Sequence, residues 1–246
     1  MALTFKLNRE SAFSFACRAC GVCCRNKIIR VAPYEALRLA RNLGLATTEF
    51  YRTFTSEGGG VLREKPDGTC VFLDDKSCRV HQDRPLVCRL FPLGQIVDKQ
   101  GRELFGAVPL DPDCIGLRGV DATVASYLES QAAEPYFRYE RAYSVVFKKM
   151  LKTLVRSQPL KSKRAAAREV HPGDTAQAPG TLLSAWLDID GTVDGYCRKN
   201  GHKKPGTLEE TVRVHLRAIE EWLEALQAGA RGAASFSRTR KGPSRQ

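Results

Sequence analysis

The run CRACGVCC at residues 17–24 constrains this chain more than any other feature, because it places four thiols in eight positions. Cys70, Cys78, Cys88 and Cys114 follow within the first 114 residues, and Cys197 lies apart. The opening residues MALTFKLNRESAFSF carry Lys6, Asn8, Arg9 and Glu10 where an export signal needs an unbroken apolar run, so the expected compartment is cytoplasmic. In a reducing compartment such clustering favours metal or redox chemistry over a disulfide network or a set of free buried thiols.

Cys17, Cys20 and Cys23 recur at every third residue, so one loop or one helical turn can converge three sulfurs, with Gly21 easing the backbone. A structural zinc site usually draws two ligands from each of two knuckles. Three ligands from one run with a distant fourth is how iron–sulfur clusters are held, so the spacing favours a 4Fe-4S cluster over zinc. Cys24 does not suit the same small site, since adjacent side chains diverge; it either reaches a second site or stays a free thiol.

The run C-x-x-C-x-x-C-C, the later block CVFLDDKSCRVHQDRPLVCRLFP (70–92) and Cys114 together resemble the YkgJ-type cysteine-cluster family, described as a zinc- or iron-chelating domain. The resemblance covers roughly residues 13–116. It implies that Cys17, Cys20, Cys23, Cys24, Cys70, Cys78, Cys88 and Cys114 are the chelating set. A related cluster occurs in flagellin lysine N-methylases, where an iron–sulfur centre is implied, but those proteins are longer and the resemblance carries no methylation with it. Four thiolates around zinc or an oxidised four-iron cluster leave a charge of about −2, and Arg79, Arg84 and Arg89 are placed to compensate it through hydrogen bonds to sulfur. His81, three residues after Cys78, is a further candidate ligand.

Coarse patterning predicts an α+β fold: a small cysteine-rich metal-binding domain with short β-hairpins (1–120), a helical extension packing on it (121–158), a linker (159–180), a C-terminal helical segment (181–228) and a disordered basic tail (229–246). VAPYEALRLARNLGL (31–45) reads as an amphipathic helix with Pro33 in its first turn and Gly44 past its end. Residues 47–55 give a second helix with Thr48 as its cap, and GQIVDKQGRELFGAV (94–108) a β-hairpin. From Asp121 the pattern turns helical, and Thr207 with Glu210 forms a capping box for a last long helix.

The net charge of +12 is uneven: ten Lys and Arg lie between Arg138 and Arg168 against Glu140 alone. Such a segment draws polyanions, although charge runs are more often solvated faces. No apolar stretch reaches the roughly 18 residues of a membrane span, so none is expected. LDIDGTVDG (187–195) looks like a haloacid-dehalogenase nucleophile motif, but too little chain follows it for that chemistry, and a solvated turn is expected instead. No P-loop, dinucleotide-binding turn or hydrolytic constellation is present. The sequence thus supports a metal-binding protein holding an iron–sulfur cluster or zinc. The competing readings are an iron–sulfur enzyme modifying a protein side chain and a zinc-stabilised module with weak nucleic-acid binding through the basic segment. The partner, a protein or a small molecule, is not named by any motif, and neither is a catalytic residue.

Overall fold

Pro33 occupies the first position of helix α1 (Pro33–Asn42), where its missing N–H costs nothing, and Gly44 at φ 68° lets the chain leave after the last turn. Its apolar face packs on α2 (Thr47–Phe54), which begins after Ala46 rather than being capped by Thr48. The buried Phe50 of α2, with Phe54, meets the Phe72 ring from the second cysteine block. The computed structural model describes residues 4–56, 60–75, 77–157 and 186–238. The chain forms two units, 1–140 and 141–246.

In the first unit three antiparallel strand pairs are set among short helices. Strand β1 (Ala12–Ala16) pairs with the distant β6 (Leu117–Thr123), with an irregularity between Ala12 and Ser14. Strands β2 (Leu73–Asp74) and β3 (Ser77–Cys78) form a minimal hairpin. Strands β4 (Leu93–Val97) and β5 (Glu103–Ala107) form the hairpin expected for 94–108, in register from Leu93 with Ala107 to Val97 with Glu103. Helix α3 (Leu86–Leu90) lies between the second and third pairs, and α4 (Val124–Ser130) follows β6. The core gathers Phe13, Leu90, Leu93, Phe105, Val124, Tyr127, Leu128 and Phe137. Phe13 and Tyr127 meet edge to face at 5.0 Å, a favoured aromatic geometry.

The expected change to helix at Asp121 comes later. β6 extends through Thr123 because β1 supplies its partner, and Thr123 then caps α4 by accepting from the Ser126 N–H at 3.2 Å. Helix α5 (Glu134–Ser157) crosses the boundary between the units.

The second unit is helical, with α6 (Ile189–Asn200) packed on α7 (Leu208–Arg238). The segment expected to be a solvated turn is the start of α6. Asp188 caps it, accepting from the Gly191 N–H at 2.9 Å, and a Cβ at 191 would stand 2.2 Å from the Asp188 carboxylate, so glycine is required there. The motif's first aspartates therefore serve a helix end. The capping box on α7 is present, with Glu210 N–H donating to Thr207 Oγ1 and Thr207 N–H to Glu210 Oε2, both at 3.2 Å. Val212, His215, Ile219 and Leu223 form the buried stripe of α7, and Tyr143 on α5 is hydrogen-bonded to His215 Nδ1 at 2.9 Å. The tail expected to be disordered from Gly229 is helical to Arg238, while 239–246 and the linker expected at 159–180 lie outside the described residues.

Candidate metal centre

Backbone pairing, more than side-chain packing, brings the cysteine blocks together. After β1 the chain turns at Gly21, at φ 73°, into a single 3-10 turn over Val22–Cys24. The Cys70 N–H then donates to the Cys24 carbonyl at 2.8 Å, and the Asn26 N–H to the Gly68 carbonyl at 2.8 Å. These two bonds join the first block to the second across more than forty residues of chain. β3 carries Cys78, the first turn of α3 carries Cys88, and Cys114 sits in a turn closed by its N–H on the Asp111 carbonyl at 2.9 Å.

The result is a cavity of about 180 Å³ lined by Cys17, Cys20, Cys23, Cys24, Cys70, Cys78, Cys88 and Cys114, every one of the eight sequence candidates. Its charged lining is cationic: Arg18, Lys27, Arg84 and Arg89, with no aspartate or glutamate. Apolar walls come from Phe15, Phe72 and Phe91. Among the described residues no three Cys, His, Asp or Glu side chains stand together as a finished ligand set. Of the eight thiols, Cys17 is exposed and the other seven are half-buried.

Several sulfurs already receive backbone N–H groups from two residues further on. The Ala19 N–H donates to Cys17 Sγ at 3.4 Å. Val22 stands likewise to Cys20, Phe72 to Cys70, Val80 to Cys78 and Gly116 to Cys114. Such donors stabilise a thiolate rather than a thiol. The Cys24 thiol donates to Cys23, which lowers Cys23 to about 7 and raises Cys24. Cys114 is bonded to Cys20 in the same way, and the Val22 N–H is the main cause of the fall at Cys20. Burial pushes Cys70, Cys78 and Cys88 upward. A set of thiols part anionic and part held neutral by burial is suited to a cation that takes their protons' place.

The three candidate arginines separate. Arg84 lines the cavity and donates to the His81 carbonyl at 2.7 Å and to Gln131 Oε1 at 2.6 Å. Arg89, 7% exposed, also lines it. Its Nη1 donates to the Gln131 carbonyl at 2.6 Å, its Nη2 to the Gln82 carbonyl and to Tyr136 Oη, and its Nε is a buried donor with no partner. A cationic lining around eight thiols fits an anionic sulfur centre. Arg79 is not among the lining residues: its guanidinium lies over the Phe54 and Phe72 rings at 5.8 and 5.7 Å, where aromatic faces hold it. His81 lines the cavity, with Nδ1 3.2 Å from Arg84 Nη1; burial and the two arginines lower its pKa and favour the neutral imidazole a metal needs.

Sequence reasoning missed the polar face of α1. Arg38 places Nε and Nη2 at 2.8 and 2.6 Å from Asp83 Oδ1, and Asn42 donates to Asp83 Oδ2 at 2.8 Å. Together they clamp the turn between His81 and Arg84. The spacing of Glu35, Arg38 and Asn42 along one side of a helix was the available signal.

With this geometry in view, comparison with known proteins is informative. Residues 16–105 match the family model CxxCxxCC, described as "Putative zinc- or iron-chelating domain". Cys114 lies beyond the matched residues yet lines the same cavity. An uncharacterized protein of Methanocaldococcus jannaschii is 29% identical over 86 residues, covering 33% of this chain and 46% of that protein. The chain therefore spans under half the length of that relative. No solved structure matches.

Proposed function

We propose that the CxxCxxCC domain, with Cys114, holds a resident metal centre on thiolates drawn from Cys17, Cys20, Cys23, Cys24, Cys70, Cys78, Cys88 and Cys114, and that the centre is an iron–sulfur cluster in preference to zinc. The observation that carries this reading is the convergence of all eight thiols, spread over nearly a hundred residues, on one cavity whose charged lining is entirely cationic. Chance burial of cysteines would not sort the neighbouring charges by sign. The preference for iron–sulfur rests on the three-ligand run at Cys17, Cys20 and Cys23.

When bound, such a cluster supplies one-electron transfer, whereas zinc would supply a fixed cross-link. The chain's own residues do the rest. Backbone N–H groups at Ala19, Val22, Phe72, Val80 and Gly116 stabilise anionic sulfur, and Arg84 and Arg89 offset its charge. Phe15, Phe72 and Phe91 keep water from much of the wall. The test is elemental analysis of iron, zinc and acid-labile sulfide per chain after anaerobic purification without a chelating tag. Iron and sulfide near stoichiometry support the full reading. Zinc without sulfide retains the centre and discards the cluster, and a metal-free folded chain discards both. No membrane-crossing role is invoked, since among the described residues no helix is long and apolar enough to cross a membrane.

A further inference from the structure

Glu35 is a carboxylate in the interior of the first unit, 8% exposed, with both oxygens engaged by backbone donors. Oε2 accepts from the Ala32 N–H at 2.6 Å, which is the ordinary duty of a glutamate at the third position of a helix. Oε1 has a different partner, the Leu86 N–H, at 2.6 Å and 51 residues away. Leu86 is the first residue of α3, whose initial N–H groups have no partner within the helix. Pro85, just before it, accepts from the N–H groups of Cys88 and Arg89 at 3.0 and 2.9 Å, so the bond from Glu35 fixes the turn that carries both.

A capping glutamate has no need to be buried, and sinking a carboxylate this far costs several kcal/mol unless good hydrogen bonds offset it. Capping α1 could be done at the surface. What burial adds is the tie to α3, a helix of five residues too short to hold its own position by intrahelical bonds. The same helix α1 grips the preceding turn at Asp83 through Arg38 and Asn42, so two points of one rigid element hold the ends of residues 83–86.

We propose that Glu35 is a positioning residue for the metal centre, acting through the Leu86 N–H to set where Cys88 and Arg89 stand in the cavity. This rests on the proposed function. It places part of the centre's geometry in a residue that has no metal-binding chemistry of its own and lies between the two cysteine blocks.

The experiment uses the full-length chain carrying its native metal, or loaded with Co2+ if the purified protein is colourless. The wild type, Glu35→Gln and Phe105→Leu are compared. Phe105 is fully buried in the same unit, on β5, and is not among the residues that line the cavity. The readouts are the thiolate-to-metal charge-transfer spectrum, the rate of metal loss to excess EDTA, and thermal unfolding. Glu35→Gln is expected to shift the spectrum and to weaken metal retention about 10- to 100-fold, the range typical for removing an outer hydrogen bond that orients a ligand. Phe105→Leu is expected to lower the melting temperature and leave the spectrum and metal retention unchanged. If Glu35→Gln does not accumulate, Glu35→Asp, which keeps the charge but cannot reach both N–H groups, carries the same comparison. A Glu35 variant with wild-type spectrum and retention overturns the proposal, as does a Phe105→Leu variant that changes both as Glu35→Gln does. A wild-type chain that takes up no metal overturns the proposed function itself, a result separate from either of these.

Discussion

The two units of this chain are held together by different means. In the first, the second cysteine block is tied in by single bonds: Cys70 N–H to Cys24, Asn26 N–H to Gly68, and the grip of α1 on Asp83 and Leu86. Eight thiols with a mainly cationic surround occupy its cavity. In the second unit the order is apolar and continuous. Ile189, Val193 and Cys197 on α6 and Val212, Ile219 and Leu223 on α7 are buried, and the buried His215 has Tyr143 as its partner. Cys197 there behaves as a lone packed thiol, its Sγ 3.6 Å from the Lys203 carbonyl. Thiols gathered around a cavity and a thiol packed among apolar neighbours are thus both present in one chain, and the comparison predicts that metal matters to the first unit and not to the second.

The largest expected effect follows directly. A structural metal held by four thiolates contributes an apparent 10–16 kcal/mol or so to folding, so losing one ligand should cost about 3 kcal/mol, more than a hundredfold in affinity. Cys20→Ser and Cys88→Ser should each lose metal and expose the first unit to limited proteolysis. The α6–α7 helices should remain protected, and Cys197→Ser should leave metal content unchanged. In the reverse direction, Leu223→Ala should destabilise the second unit by about 2–5 kcal/mol, as large-to-small changes in packed cores do, with full metal content retained.

A titration sharpens the comparison. Burial raises Cys70, Cys78 and Cys88, so metal must displace protons and its affinity should fall as pH falls, about tenfold per pH unit for each thiol still protonated. In the metal-free chain Cys70, Cys78 and Cys88 should act with the opposite sign, against the contribution of the lowered Cys20 and Cys23. Acids whose folded pKa lies above the unfolded value contribute stability that is present below about pH 9 and is lost as pH rises toward the folded value. Chemical denaturation of holo and apo protein between pH 6 and 10 would show whether the two slopes oppose. The smallest effect separates the arginines. Arg84→Ala should weaken metal retention about tenfold or more, whereas Arg79→Ala should forfeit only its stacking on Phe54 and Phe72, about 1 kcal/mol of stability, and leave retention alone.

What could be read from sequence was local. The β4–β5 hairpin, α1 with Pro33 and Gly44, and the Thr207–Glu210 capping box are each written within a few consecutive residues. The cysteines of the cavity were legible because their chemistry is rare enough to stand out without a fold. The β1–β6 pair was not, since its strands are a hundred residues apart and β6 exposes Leu117 and Val120 rather than alternating cleanly. Residues 187–195 were expected to form a solvated turn, because Asp and Gly favour turns as much as helix starts; Asp188 instead caps α6. Glu35 shares one side of α1 with Arg38 and Asn42, which marks a polar face, but which groups that face meets, Leu86 and Asp83, is decided only when α1 reaches the second block.

The measurement that bears most directly on the central claim is X-ray absorption at the metal edge of the anaerobically purified full-length chain. The account predicts a first shell dominated by sulfur at about 2.3 Å, with a further iron shell if the centre is a cluster, and loss of the signal in Cys20→Ser and Cys88→Ser. A first shell of oxygen and nitrogen, or a sulfur shell unchanged in both variants, would contradict it.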